Sequence, residues 1–152
     1  WQRVEDTSRE HLPLIATKVA TTLNQLGRRT EALNWLRRSL LDAPSIDLLD
    51  AAYMRTADWD GAAAAEALVA DELKRHPSLL GFERLAEARL ALNPGDEELA
   101  SMSKLLQSHA RKLARYRCSK CGFRAREYHW NCPGCSSWDS YPPRRVEELD
   151  GA

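Results

Sequence analysis

Four cysteines carry the one pattern in this 152-residue chain that points to a definite chemistry. Cys118-Ser-Lys-Cys121-Gly122 and Cys132-Pro-Gly-Cys135 form two C-x-x-C knuckles with ten residues between them. Each knuckle sets two thiolates on one tight turn with backbone amides aimed at the sulfurs. Two knuckles facing each other across a short hairpin complete a tetrahedron of sulfur donors. Gly122 can take the positive φ that follows the second ligand of such a turn, and Pro133 stiffens the other knuckle. Four thiolates suit one tetrahedral zinc or iron ion, and spacing does not choose between them. Protein sulfurs would occupy every coordination position, so the predicted metal is structural rather than catalytic. The alternative is disulfide or thiol–disulfide redox chemistry. A redox motif requires one C-x-x-C opening a helix in a βαβ setting, which neither knuckle has.

So short a segment cannot bury a useful apolar core, and metal binding must supply most of its folding free energy, on the order of 10 kcal/mol in small zinc peptides. Tyr116, Phe123, Tyr128, Trp130, Trp138 and Tyr141 are read as a miniature core shared with the last helix of the preceding segment, in preference to a stacking platform for single-stranded nucleic acid. His109 is read as a packed histidine at that interface, His129 as a surface residue, and His76 as a cation at a helix C-terminus. No phosphate-cradling glycine loop, serine triad or paired-carboxylate site is visible, so the chain reads as a non-enzyme.

The elements ahead of the cysteines are helical. Ile15, Val19, Leu23 and Leu26 form one amphipathic stripe, with Pro13 in the first turn and Gly27 at the end; Ala32, Leu33, Leu36 and Leu40 form a second, stopped by Pro44. The pattern repeats from Ser45 as N-cap through Ile46, Leu49 and Tyr53, a turn at Asp58 to Gly61, then Ala65, Leu68, Val69 and Leu73 before Pro77. A third unit opens at Ser78 with Phe82, Leu85, Ala86 and Leu90. It breaks at Asn93-Pro94-Gly95 and resumes from Asp96 with Leu99, Met102, Leu106, His109 and Leu113. Pro44-Ser45 and Pro77-Ser78 lie 33 residues apart. Ala32 and Ala65 each stand twelve residues before the closing proline. That period resembles the tetratricopeptide repeat, whose small residue lets paired helices approach closely. The predicted fold is mainly α: a helical-hairpin solenoid over residues 1–114, a rubredoxin-like or zinc-ribbon β module over 115–145, and a C-terminal tail over 146–152. The ribbon is expected to cap the last repeat.

Lys+Arg and Asp+Glu balance at 22 each, so no net field steers the molecule toward nucleic acid or anionic lipid. Locally the C-terminal third is basic, while Asp58, Asp60, Glu66, Asp71 and Glu72 make the middle repeat acidic. There is no apolar run of the roughly 20 residues a membrane span needs, and no signal peptide. The start at Trp1, close to helical sequence, suggests a piece of a longer protein.

Tyr116-Arg117-Cys118-x-x-Cys121-Gly122-Phe123, Trp130-x-Cys132-Pro133-x-Cys135-x-x-Trp138 and a tail ending Leu149-Asp150-Gly151 resemble the end of the lipopolysaccharide assembly protein B family. There a tetratricopeptide array precedes a rubredoxin-like module. Rubredoxins place glycine after the fourth ligand, where this chain has Ser136. The resemblance implies an inner-membrane protein facing the cytoplasm, held by an N-terminal anchor absent from this chain. It also implies an adaptor that brings the committed-step deacetylase of lipid A synthesis to a membrane-anchored AAA+ protease, and so regulates lipopolysaccharide output. By residue, only Cys118, Cys121, Cys132 and Cys135 carry over, as metal ligands. A nucleic-acid-binding ribbon and a rubredoxin-type electron carrier are the competing readings.

Overall fold

A computed structural model describes Val4, residues 8–113 and residues 115–150. Among the described residues a 3-10 turn (Arg9–His11) and six α-helices precede the cysteines: α1 (Leu12–Gln25), α2 (Arg29–Asp42), α3 (Ile46–Asp60), α4 (Ala62–Arg75), α5 (Leu79–Leu92) and α6 (Glu97–Leu113). The strands β1 (Tyr116–Arg117) and β2 (Arg124–Ala125) follow, and then a short helix α7 (Val146–Asp150). This is the mainly helical repeat fold with a small terminal ribbon that the periodicity predicts. Among the described residues no helix is long and apolar enough to cross a membrane.

Each boundary has a local cause. Beyond α1, Gly27 takes φ +73°, which lets the Arg28 amide reach back to the Leu23 carbonyl and close the helix end. Ser45 and Ser78, both extended, accept hydrogen bonds from the amides of Leu48 and Gly81 and so start α3 and α5. Asp96 does the same for Leu99 at the head of α6. The turn expected over Asp58 to Gly61 is tighter than the sequence suggests: α3 continues to Asp60, and Gly61 alone, at φ +91°, separates it from α4. A glycine adopts that conformation without a Cβ penalty, so no further loop residues are needed.

Successive helices pack as hairpins, and α1, α3 and α5 also touch in a row, so the first helix of each hairpin stacks on the next. Ala32 and Ala65 are both 0% exposed, at the close approaches where a larger side chain would separate the helices. Around them lie Leu36, Leu48, Val69 and Leu85, the continuous core of a short helical array. Among the described residues three ion pairs tie neighbouring helices outside that core: Arg84 of α5 to Asp50 of α3 at 2.5 Å, Arg89 of α5 to Glu66 of α4 at 3.0 Å, and Arg37 of α2 to Asp60 of α3 at 3.6 Å. The last helix is less covered than its pattern implies. Only Ala110 of α6 is buried, while Met102 is 48% and Leu105 is 61% exposed.

Candidate metal centre

The two knuckles fold by the same backbone arrangement. In the first, the Cys118 amide donates to the Phe123 carbonyl at 2.9 Å and the Gly122 amide to the Cys118 carbonyl at 3.0 Å. In the second, the Cys132 amide donates to the Ser137 carbonyl at 2.9 Å and the Ser136 amide to the Cys132 carbonyl at 2.8 Å. Gly122 and Ser136 hold equivalent places and both have positive φ, +77° and +55°. Ser136 thus adopts the left-handed backbone for which glycine is the usual residue, and the turn keeps its shape without one. Gly134 is needed for another reason: a Cβ there would stand 3.1 Å from Cβ of Phe123, whose side chain lies across the second knuckle.

β1 and β2 pair antiparallel, Tyr116 opposite Ala125 and Arg117 opposite Arg124, and carry the first knuckle between them. An Asn131–Trp138 bridge closes the second. The four sulfurs consequently converge within 4.8 Å of one another. Cys118 and Cys135 are 3.9 Å apart and Cys121 and Cys132 3.7 Å. Four sulfurs at about 2.3 Å from one ion would sit roughly 3.8 Å from each other at the tetrahedral angle, so the site fits a four-thiolate metal. All four cysteines are free, and the two separations far exceed an S–S bond of about 2.05 Å, so the arrangement is that of a thiolate cluster.

The surroundings favour sulfur anions at two positions. The Ser140 hydroxyl, 3.3 Å from Cys118 Sγ, together with the amides of Cys121 and Lys120, outweighs burial and lowers the Cys118 pKa to about 6. At Cys132 burial acts against ionisation, but the amides of Cys135 and Gly134 and the Tyr141 hydroxyl overcome it and lower its pKa. Cys121 goes the other way. The Phe123 amide lowers its pKa, yet desolvation of the sulfur by its packed surroundings and the three neighbouring cysteines push it up to about 12. Four negative sulfurs this close repel, and a bound cation removes that conflict by ionising them all. Cys118 and Cys132 are buried while Cys121 and Cys135 are exposed, so the cluster opens on one side.

The ribbon's aromatic residues divide between two roles. Tyr116 and Tyr141 are buried with Cys118, Ala125 and Cys132, and half-buried Tyr128 packs edge-on against both rings. Phe123, Trp130 and Trp138 are exposed, Trp138 by 69%. The partner of this small core is not the last repeat helix, as expected from the sequence, but the first: Leu14 of α1 packs against it, and His11 stacks on Trp130 at 5.5 Å. His109, expected at the ribbon interface, is exposed on α6. The ribbon bends back toward α1 and α3 and leaves that face of α6 uncovered. His129 is half-buried, with its ring 6.0 Å from Tyr141, and takes no part in the sulfur cluster. His76 sits at the C-terminal end of α4.

A polar clamp fixes this placement. Asp47, in the first turn of α3, accepts from the Tyr116 hydroxyl at 2.7 Å and from Arg145 at 2.7 Å and 3.0 Å. The Arg145 guanidinium lies 4.1 Å over the Tyr116 ring and also donates to the Arg126 carbonyl at 3.0 Å. Burial, reinforced by the Asp47 charge, raises the Tyr116 pKa and keeps the phenol neutral as a donor. The segment read as a tail holds a helix. In α7 Glu148 accepts from the Arg145 amide at 2.7 Å and from the Ile46 amide at 3.2 Å, while Glu147 accepts from the amides of Leu79 and Leu80. A cavity of about 310 Å³ remains between these carboxylates, Glu72, His76 and the prolines that end α2 and α4. Sequence reasoning missed Asp47 and Arg145. Each looks like an ordinary charged surface residue, and they stand 98 positions apart.

Comparison with known proteins agrees with the geometry. Residues 116–143 match the family model of a rubredoxin metal binding domain. The chain is 31% identical over 99% of its length to lipopolysaccharide assembly protein B of Escherichia coli (strain K12), and 32% identical over 59% of its length to the protein of that name from Haemophilus influenzae. It spans 39% of the first relative and 23% of the second, so the likeness concerns one segment of a longer protein. Through its helices as well as its ribbon, this chain is a homologue of the lipopolysaccharide assembly protein B family and carries the rubredoxin metal-binding domain at residues 116–143.

Proposed function

We propose that the chain is the adaptor portion of a non-enzymatic regulator of lipopolysaccharide synthesis. Its repeats bind protein partners, and its ribbon is shaped by one structural zinc or iron ion held by Cys118, Cys121, Cys132 and Cys135. The observation that carries this reading is the way the ribbon is fastened: its core packs on Leu14 of α1 and its clamp closes on Asp47 of α3, so that ribbon and repeats form one body. A mobile electron carrier needs no such attachment, whereas a scaffold that presents two surfaces in fixed orientation does. The full-length relatives' names, lipopolysaccharide assembly protein B, support the pathway. By resemblance, the partners are the lipid A deacetylase and a membrane-anchored AAA+ protease. By the same resemblance, the working location is the cytoplasmic face of the inner membrane.

Chelation or Cys118→Ser is expected to unfold the ribbon, leave most helical circular dichroism intact and abolish binding of purified deacetylase and protease in a pull-down. Full partner binding by the metal-free variant would overturn the adaptor reading as stated. Elemental analysis with an absorption spectrum identifies the ion. Zinc leaves the protein colourless, whereas iron adds visible thiolate charge-transfer bands.

A further inference from the structure

Two helix ends that stand at equivalent places in successive repeats are finished by residues from the far end of the chain. The first amides of any helix lack intrahelical acceptors. In α5 the Ser78 hydroxyl takes the Gly81 amide and the Ser78 carbonyl takes that of Phe82, which leaves Leu79 and Leu80 to Glu147. In α3 the Ser45 side chain takes the Leu48 amide, and Glu148 takes that of Ile46, 102 residues away. A carboxylate there also meets the positive end of each helix dipole.

Glu147 and Glu148 are held in place from the ribbon. The Ser140 carbonyl accepts from both the amide and the hydroxyl of Ser119, inside the first knuckle. From there Tyr141-Pro142-Pro143-Arg144 leads to Arg145, and the two prolines stiffen that link. Arg145 locks to Asp47 and lies over Tyr116, the residue two before Cys118, and the Val146 amide donates to the Arg115 carbonyl at 2.7 Å. A five-residue helix has no stability of its own, so α7 stays where these anchors put it.

We propose that α7 is a latch through which metal occupancy of the ribbon sets the capping of α3 and α5. Loss of the ion dissolves the anchors at Arg115, Tyr116 and Ser119, the latch lifts, and the Ile46, Leu79 and Leu80 amides become free. The cavity beside them then opens at the edge of the repeats. This inference rests on the metal-bound ribbon proposed above.

Amide exchange measured by NMR on the intact chain, with metal content determined in parallel, separates the two. On chelation the Cys118 and Cys132 amides should lose protection, and Ile46, Leu79 and Leu80 should exchange at least about tenfold faster, as expected for donors left without an acceptor. Leu36, deep in α2, should not change. Glu147→Ala with Glu148→Ala should give the same acceleration at the three helix amides in the metal-loaded protein. Arg145→Ala should do so while the ion and the Cys118 and Cys132 amides stay in place. Slow exchange at Ile46, Leu79 and Leu80 after the ribbon amides have been freed, or in metal-loaded Arg145→Ala, overturns the latch and leaves the metal site standing. A chain that binds no ion and shows no change with chelator overturns both.

Discussion

Ser136 holds φ +55° at the place where the first knuckle uses Gly122. A side chain in that region costs roughly 1 kcal/mol or more relative to glycine. Ser136→Gly is therefore expected to stabilise the ribbon by about 1 kcal/mol, read as a higher denaturant midpoint for ribbon unfolding with metal content unchanged. Glu72 supplies a second prediction at this scale. It is 3% exposed, and although Arg75 Nη2 lies 2.8 Å from its Oε2, burial outweighs Arg75 and His76 to raise its pKa. Burial likewise raises Glu83 and Glu148. A carboxyl with a raised folded-state pKa holds its proton more tightly folded than unfolded. Its contribution is thus most favourable below the ordinary value of 4.5 and declines as pH rises through the raised value. Glu72→Gln should raise the melting temperature at pH 7, and the difference from the parent should shrink toward pH 4.5. The cysteines were legible in the sequence because two ligands per turn is a local rule. His76 at the end of α4 was legible too, but His109 was not, because the covered face of an amphipathic helix such as α6 depends on what packs there.

Helices, caps and breaks followed from local signals: prolines after α2 and α4, serines before α3 and α5, and Asp96 before α6. The exceptions have tertiary causes. Gly61 replaced a longer turn because one left-handed residue suffices between helices packed side by side. Gly81 looks like a weak point in α5, where alanine would ordinarily gain about 1 kcal/mol. In place, however, its Cβ would stand 2.7 Å from both Leu73 Cδ2 and Ser78 Oγ. Leu73 could yield, but Ser78 is the cap. Gly81→Ala should thus destabilise the repeats by about 1 kcal/mol net, overpacking exceeding the propensity gain, as urea denaturation would register. Retained or increased stability would show that the α4–α5 contact has slack.

At the level of the whole molecule the decisive contact joins Asp47 to Tyr116 and Arg145. No periodicity or motif could disclose it, since its partners are 69 and 98 residues distant and ordinary in their own surroundings. That is why the ribbon was expected on the last helix and lies against α1 and α3 instead. Asp47→Ala strips the acceptor from a half-buried hydroxyl and guanidinium together, and should cost about 2–3 kcal/mol. A double-mutant cycle with Tyr116→Phe would show coupling of the two changes; strict additivity would mean the clamp acts as separate bonds. The long reach of this contact also imposes an order on biosynthesis. A ribosome delivers α3 well before it delivers Arg145, so nascent hairpins must persist with Asp47 unclaimed and the heads of α3 and α5 incompletely capped until Arg145 and α7 have been made. Chains stalled or truncated short of Arg145 would expose that unfinished edge to chaperones and proteases.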